Sequence, residues 1–289
     1  MMKKNTISFS CTTLVFLVIT ACKSSPSLKQ KTREFIAAVN TQDKTKVERM
    51  VAKDYIQHNP FVPTGRDAFI SLFPVLKKFK TKAETVRMLQ DGNYVVLHNK
   101  WHNAKPFGAD KMVAFDVLRF DKNGQIAEHW DALTVLREKT ASGRTQTDGP
   151  TLAKAPEKTQ ANKARAQALV EDILMGKNPK KITEYISTEK YHQHNPDIKD
   201  GLSGIIAAVK ALTAQNNMFK YTKIHKVLGE GDFVLTISEG EWSGKKQAFY
   251  DLFRFENGKA VEHWDIIQEI PSKKLANKNG MFGFKNDSL

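Results

Sequence analysis

Cysteine is nearly missing from this chain of 289 residues, and the two that occur, Cys11 and Cys22, fall within the first 22 positions. The 267 residues that follow can form no disulfide and no thiolate metal site. Long hydrophobic runs are missing too. The apolar stretch LVFLVI at 14–19 falls well short of the roughly 20 residues that a bilayer-spanning helix needs. There is no glycine-rich phosphate loop, no nucleophile elbow and no paired-histidine metal motif, so the common signatures of nucleotide, serine-nucleophile and zinc chemistry are absent. Acidic residues are in deficit, 31 Asp+Glu against 45 Lys+Arg, for a net charge of +14 and a pI near 9.6. Such a balance raises the question of nucleic acid. The excess is spread out, however: between Arg137 and Arg165 seven basic residues face three acidic ones. No regularly spaced basic helix accompanies it, so it reads as a solvated basic surface suited to resting near anionic lipid, and no nucleic-acid partner is expected. Hydrophobic content of 40% and charged content of 26% argue against large-scale disorder.

The first 22 residues have the layout of an export signal: Lys3 and Lys4, the apolar run, then the small residues Thr20 and Ala21. Ile19-Thr20-Ala21-Cys22 resembles a bacterial lipobox, in which the cysteine is acylated and becomes the mature N-terminus. The resemblance makes Cys22 the lipidation site, residues 23–27 a tether, and the protein exported and lipid-anchored to the cell envelope. Lys23 is not the Asp that retains some lipoproteins at the inner membrane, so the outer membrane is favoured. The alternative is an ordinary signal cut near Ala21.

Self-similarity organises the rest. Tyr55-Ile56-Gln57-His58-Asn59-Pro60 returns as Tyr191-His192-Gln193-His194-Asn195-Pro196, Trp101 as Trp242, and Asp116-Val117-Leu118-Arg119-Phe120 as Asp251-Leu252-Phe253-Arg254-Phe255. Glu128-His129-Trp130-Asp131 returns as Glu262-His263-Trp264-Asp265. The order predicts two domains, 28–137 and 162–270, with a linker at 138–161 rich in Gly, Pro, Ser, Thr and Lys, and a C-terminal tail at 271–289. Each copy predicts a helix (Phe35, Ile36, Val39; Ala168, Leu169, Ile173, Leu174) and a second short helix (Val47, Met50, Val51; Ile182, Tyr185, Ile186). A turn at Asn-Pro and a third helix (66–79 and 202–214) follow, with Pro74 predicting a kink or an early end. Strands follow at 83–88, 94–101, 111–120 and 125–136, with matching runs in copy two, and Asn123-Gly124 and Asn257-Gly258 close hairpins. Helices before an antiparallel meander make an α+β fold.

Alternation along a strand puts His129 and Asp131 on one face and Glu128 and Trp130 on the other. Whether Asp116 joins Asp131 depends on register. A two-residue turn at Asn257-Gly258 would set Asp251 opposite Trp264, and a four-residue loop would set it opposite Asp265. Should the aspartates share a pocket with His58 or His194, mutual repulsion would leave one protonated near neutrality, fit to move a proton α to a carbonyl. The same residues could instead be cross-strand ion pairs, His58 a turn residue satisfied by backbone, and the tryptophans core.

Together these motifs resemble SnoaL-like polyketide cyclase and aldol-condensation domains of the nuclear transport factor two-like, ketosteroid-isomerase-like superfamily. The resemblance implies two tandem cones, each a curved antiparallel sheet wrapped on helices around a central pocket. It implies acid/base aspartates at Asp131 and Asp265, partnered by Asp116 and Asp251, where true cyclases often carry histidine. His58 and His194 would join them catalytically, and Asn59, Asn195, His129, His263, Trp130 and Trp264 would line the ligand. No cofactor and no metal is implied. The expected role is cofactor-independent cyclase, isomerase or lyase chemistry on a small carbonyl compound. Alternatives are a non-catalytic binder of a small apolar ligand, or a structural module whose copies pair within the chain.

Overall fold

The computed structural model describes residues 26–284, so the signal-like run and Cys22 lie outside the described residues. The first half runs α1 (Leu28–Thr41), α2 (Lys44–Met50), β1 (Val51–Gln57), α3 (Arg66–Ile70), α4 (Phe73–Phe79), β2 (Lys82–Asp91), β3 (Tyr94–His102), β4 (Lys111–Phe120) and β5 (Ile126–Val135). The second runs α5 (Thr159–Leu169), α6 (Ile182–Tyr185), β6 (His192–Gln193), α7 (Gly201–Ala214), β7 (Lys220–Glu230), β8 (Phe233–Trp242), β9 (Lys245–Glu256) and β10 (Lys259–Glu269). Ser27, from the expected tether, caps α1 by accepting the Gln30 N–H. The predicted third helix of the first half is broken into α3 and α4, with Pro74 in the first turn of α4. The break sits at residues 71–72 because a proline ring clashes with the carbonyl four residues back, here that of Ile70.

Two five-stranded sheets pack on these helices, in the orders β1-β5-β4-β3-β2 and β6-β10-β9-β8-β7, and the α+β expectation holds. The sheets are mixed rather than purely antiparallel. β1 pairs parallel with β5, and β6 with β10. Both added strands come from the Tyr-x-Gln-His-Asn-Pro segments, which carry only a turn signal in the sequence.

Alternation gives each sheet an inner and an outer face. Inside the first half, Val95, Leu97, Leu118 and Phe120 meet Phe35, Val39 and Leu76 of the helices. Inside the second, Val234, Phe249, Phe253 and Phe255 meet Leu169, Val170 and Tyr185. The outer faces bury each other: Phe115, Val117 and Trp130 share one cluster with Leu235, Ile237, Tyr250 and Trp264. Each of these large side chains contributes about 1.5–3 kcal/mol by leaving water.

Two crossed segments tie the halves. The stretch after β5 crosses to the second half, where the Thr145 carbonyl meets His194 Nδ1 at 2.6 Å and Asp148 O accepts Trp264 Nε1 at 3.0 Å. The stretch after β10 returns to the first, where Gly280 O meets His58 Nδ1 at 2.7 Å and Phe284 stacks on Trp130 at 4.3 Å. The composition of 138–161 suggests a loose linker, but Thr140, Gln146 and Thr147 within it are buried.

Arg87 is the pin. Its guanidinium donates to the carbonyls of Thr147 (2.9 Å), Asp148 (2.8 Å) and Pro150 (3.1 Å), and lies 4.3 Å from the Trp264 ring. Burial pulls its pKa down to about 10, opposed by the charges of Glu262 and Asp148. Arg87→Ala takes a donor from three carbonyls, of which Asp148 O keeps the Trp264 Nε1–H, and a loss of about 3 kcal/mol in denaturant unfolding is expected. A loss under about 1 kcal/mol would mean that the segment holds without the arginine.

Candidate active site

The hairpin β4–β5 brings the predicted aspartates together. Asp116 stands directly opposite Asp131, with Leu118 opposite His129. In the second half Asp251 stands opposite Asp265. The turn there is the two-residue one, Asn257 and Gly258 both at positive φ, with Glu256 paired to Lys259. By regular pairing that turn would have set Asp251 against Trp264. A bulge at Val261, between paired residues Ala260 and Glu262, adds one residue and shifts the register. The first half does the same at Ala127, between Ile126 and Glu128, and only Gly124 of its Asn-Gly pair has positive φ.

In the first half the carboxylates sit at the polar end of a cavity of about 80 Å³. That is room for roughly five waters or a few more. Its walls are otherwise largely apolar, from Phe35, Val39, Phe69, Leu76, Trp101, Phe107, Ala114 and Leu133 among others. Asn59 Nδ2 donates to both Asp131 oxygens, at 2.8 and 3.0 Å. Asn99 Nδ2 donates to Asp116 Oδ2 at 2.7 Å, while the other Asp116 oxygen lies 3.0 Å from His129 Nε2. Gln57 Oε1 accepts from the Asn59 N–H (2.8 Å) and faces His129 Nδ1 at 3.1 Å, and Gln57 Nε2 donates to the Tyr55 hydroxyl at 3.0 Å.

Charge follows from these contacts. Burial pushes the Asp131 carboxyl up, the His129 charge and the Asn59 hydrogen bond pull it down, and Asp116 adds repulsion; the result is about 6 against an ordinary 3.8. Burial alone would strip the proton from His129, but the hydrogen bond to Asp116 and the two carboxylate charges outweigh it and hold the imidazole above its usual value. With amide oxygen on one side and carboxylate on the other, His129 donates from both nitrogens as an imidazolium. Its charge is spent on Asp116, so the group left to gain and lose a proton near neutrality is Asp131. Tyr55, pushed well up by burial and by the charges of Asp131 and Asp116, stays a phenol with a hydrogen to give.

His58 and Trp130 do not line this cavity. β1 alternates as β5 does, so Tyr55, Gln57 and Asn59 face inward and His58 faces the other way. There His58 Nε2 lies 2.9 Å from Glu128 Oε1, Arg119 Nε donates to Glu128 Oε2 at 2.7 Å, and the His58 ring stacks on Trp130 at 4.6 Å. Burial would raise the Glu128 carboxyl, but the hydrogen bonds from His58 and Arg119 hold it below its usual value. His194, Glu262, Arg254 and Trp264 repeat the cluster in the second half. The expected pocket roles of His58, His194, Trp130 and Trp264 are corrected accordingly: they are outer-face residues, packed where the halves meet. Tyr55, Gln57 and Asn99 are the site residues that motif reading passed over. Strand alternation through Tyr-x-Gln-x-Asn would have revealed the first two.

The second half keeps the aspartates, the histidine and the asparagine, has Ser238 where the first has Asn99, and puts aromatic rings into the space beside them. Asn195 Nδ2 donates to Asp265 at 2.7 Å, and His263 Nε2 lies 3.1 Å from Asp251. Phe249 stands opposite Ser238 as Ala114 stands opposite Asn99, and Tyr221 opposite Gly240 as Ala83 stands opposite Trp101. By register Gly240, two residues before Trp242, is therefore the counterpart of Trp101. The Phe249 and Tyr221 rings stack at 4.1 Å, and the Tyr221 hydroxyl donates to Asp251 at 3.2 Å. Burial and the neighbouring Asp251 charge raise Asp265 as well, against the pull of His263.

In each half the imidazole and two carboxylates offer donor atoms within 4.8 Å of one another, a set that suits a divalent cation. In the first half Asn59, Asn99 and Gln57 already occupy those groups, so a cation would have to displace protein hydrogen bonds.

Residues 32–129 match the family model of the SnoaL-like domain. No curated protein matches the chain in sequence. Among solved structures, an NTF2-like protein of unknown function from Cytophaga hutchinsonii is 19% identical over 39% of this chain and 94% of its own, with a TM-score of 0.34. IdmH from Streptomyces antibioticus, a candidate polyketide cyclase, is 19% identical over 37% and 92%, with a TM-score of 0.32. A candidate SnoaL-like polyketide cyclase from Shewanella denitrificans is 16% identical over 38% and 92%, with a TM-score of 0.33. Likeness at this level does not extend to activity.

Proposed function

We propose that the SnoaL-like domain of residues 32–129 is a cofactor-free acid–base pocket acting on a small carbonyl compound, with cyclase, aldol or isomerase outcome. The observation that carries this reading is Asp131, lifted to about 6 at the polar end of an apolar cavity. As a carboxylate it removes a proton α to the carbonyl and returns it elsewhere. The Tyr55 hydroxyl is placed to donate to the oxygen on which charge builds. Asp116 and His129 form an internal pair that sets the field around Asp131 without touching the proton in flight.

The second half serves this one. Phe249 and Tyr221 fill its cone, which favours a structural role for Asp251, His263 and Asp265 there. The repeated motifs and the shared strand order support an origin by tandem duplication. The lipobox-like Ile19-Thr20-Ala21-Cys22 supports an exported protein, anchored through lipid on Cys22.

The test is solvent deuterium wash-in, followed by NMR, at carbons α to the carbonyl in a panel of small ketones and β-keto compounds. Exchange above buffer, unchanged by EDTA, is expected. Binding without exchange would make the domain a carrier rather than a catalyst. Ala114→Phe copies the second half and should abolish wash-in at a cost in stability of about 1–3 kcal/mol from overpacking. Full exchange in that variant would place the chemistry outside this cavity.

A further inference from the structure

The segment after β10 does more than cross to the first half: it ends on the loop that carries Asn59. Asn277 Nδ2 donates to Asn59 O at 2.7 Å and to Val62 O at 2.8 Å, bridging the turn at two points. The Ala276 N–H donates to Pro60 O at 2.8 Å. Asn279 Nδ2 donates to Gln57 O (2.8 Å) and Thr64 Oγ1 (3.1 Å), and its own N–H donates to Asn277 Oδ1 at 3.0 Å, fixing the clamp's rotamer. Asn277 is 9% exposed and Asn59 6%, so water is a poor substitute for these bonds. Asn59 is thereby held by its backbone, and its side chain by the Phe61 N–H on Oδ1 at 2.8 Å, which aims Nδ2 at Asp131. The corresponding segment on the second half repeats two of these contacts, Ala141 N on Pro196 O at 2.8 Å and Ser142 Oγ on Gln193 O at 2.6 Å, but makes the second with a serine hydroxyl rather than an amide. The amide clamp thus sits on the half whose cavity is open.

We propose that Asn277, carried by the C-terminal segment of the second half, is a positioning residue for the site in the first half, acting on Asp131 through Asn59. The proposal rests on the reading of Asp131 as the proton-carrying group. It makes the two halves one working unit: the filled half supplies the clasp for the open one. It also gives the retained second copy a reason beyond covering the outer sheet face.

The test is a carbon-13 NMR titration of Asp131 in the full-length chain, for the parent protein and for Asn277→Ala. Asp131 faces His129, Asp116 and Asn59, and His58 adds a weaker field from the outer face. With the loop released, the Asn59 hydrogen bond that favours the carboxylate weakens, and Asp131 should titrate higher by about one pH unit. Asn59→Ala should give the same upward displacement, and adding Asn277→Ala to it should give no more. An unchanged Asp131 midpoint in Asn277→Ala, with only a lower melting temperature, would overturn the proposal and leave the segment as a tether. Should the alanine form fail to fold, Asn277→Asp keeps the size and loses the N–H, and the same two outcomes apply. A parent Asp131 that titrates near 4 would sink the acid–base reading, while the response to Asn277→Ala would still decide the clamp.

Discussion

Asp131→Asn should cut deuterium wash-in by about 10²–10⁴-fold and make the protein more stable above pH 6. The two effects share one cause. Native Asp131 keeps its proton up to about 6, against an ordinary 3.8, so between those values the native state binds more protons than the unfolded chain. Stability contributed by the protonated acid is complete below about pH 4 and is lost as pH rises through 6. Two pKa units are worth about 3 kcal/mol, which the partial openness of the site reduces to about 2 kcal/mol. Asparagine is neutral at every pH and removes that loss. Denaturant unfolding at pH 4, 6 and 8 measures it: the parent should lose stability across the series relative to Asp131→Asn. If both show the same slope, or if wash-in survives, Asp131 is an ordinary carboxylate and the mechanism fails.

Glu128→Ala should cost about 3–5 kcal/mol and move the titration of Asp131 only slightly, through the weak field of His58. Glu128 is 1% exposed and holds Arg119 on one oxygen and His58 on the other. Removing one member of such a cluster strands the rest: the guanidinium loses its counter-ion and the imidazole its partner beneath Trp130. The carboxylate lies on the outer face, across the sheet from Asp131, so strand alternation separates the two effects. Chemical unfolding of the variant checks the first and carbon-13 titration the second. A loss below about 1 kcal/mol would mean that the cluster holds without its carboxylate, and an Asp131 midpoint moved by about a full pH unit would show that the two faces are not independent and would return His58 to the site.

Much of the site was legible, and the failures have identifiable causes. His129 and Asp131 two apart on a strand needed only the period of two. Asp116 opposite Asp131 could not be read, because a bulge at Ala127 or Val261 leaves no composition signature and reverses the answer. His58 reads as a site residue because His is a more obvious acid–base group than Gln or Tyr. The parallel strand that turns it outward depends on pairing with β5, some seventy residues away. The filling of the second cone rests on Phe249 for Ala114 and Tyr221 for Ala83, equivalences that exist only once the register is known.

The sequence by itself determined the α+β class, the repeated motifs, the strands of each meander, the hairpin turns and the shared face of His129 and Asp131. All of these follow from local periodicity and turn chemistry. Tertiary structure decided which carboxylates meet, which cone stays open, and that the segments after β5 and β10 cross to opposite halves. Those outcomes depend on one-residue shifts and on contacts between residues far apart in the chain, whose energies no short window of sequence contains.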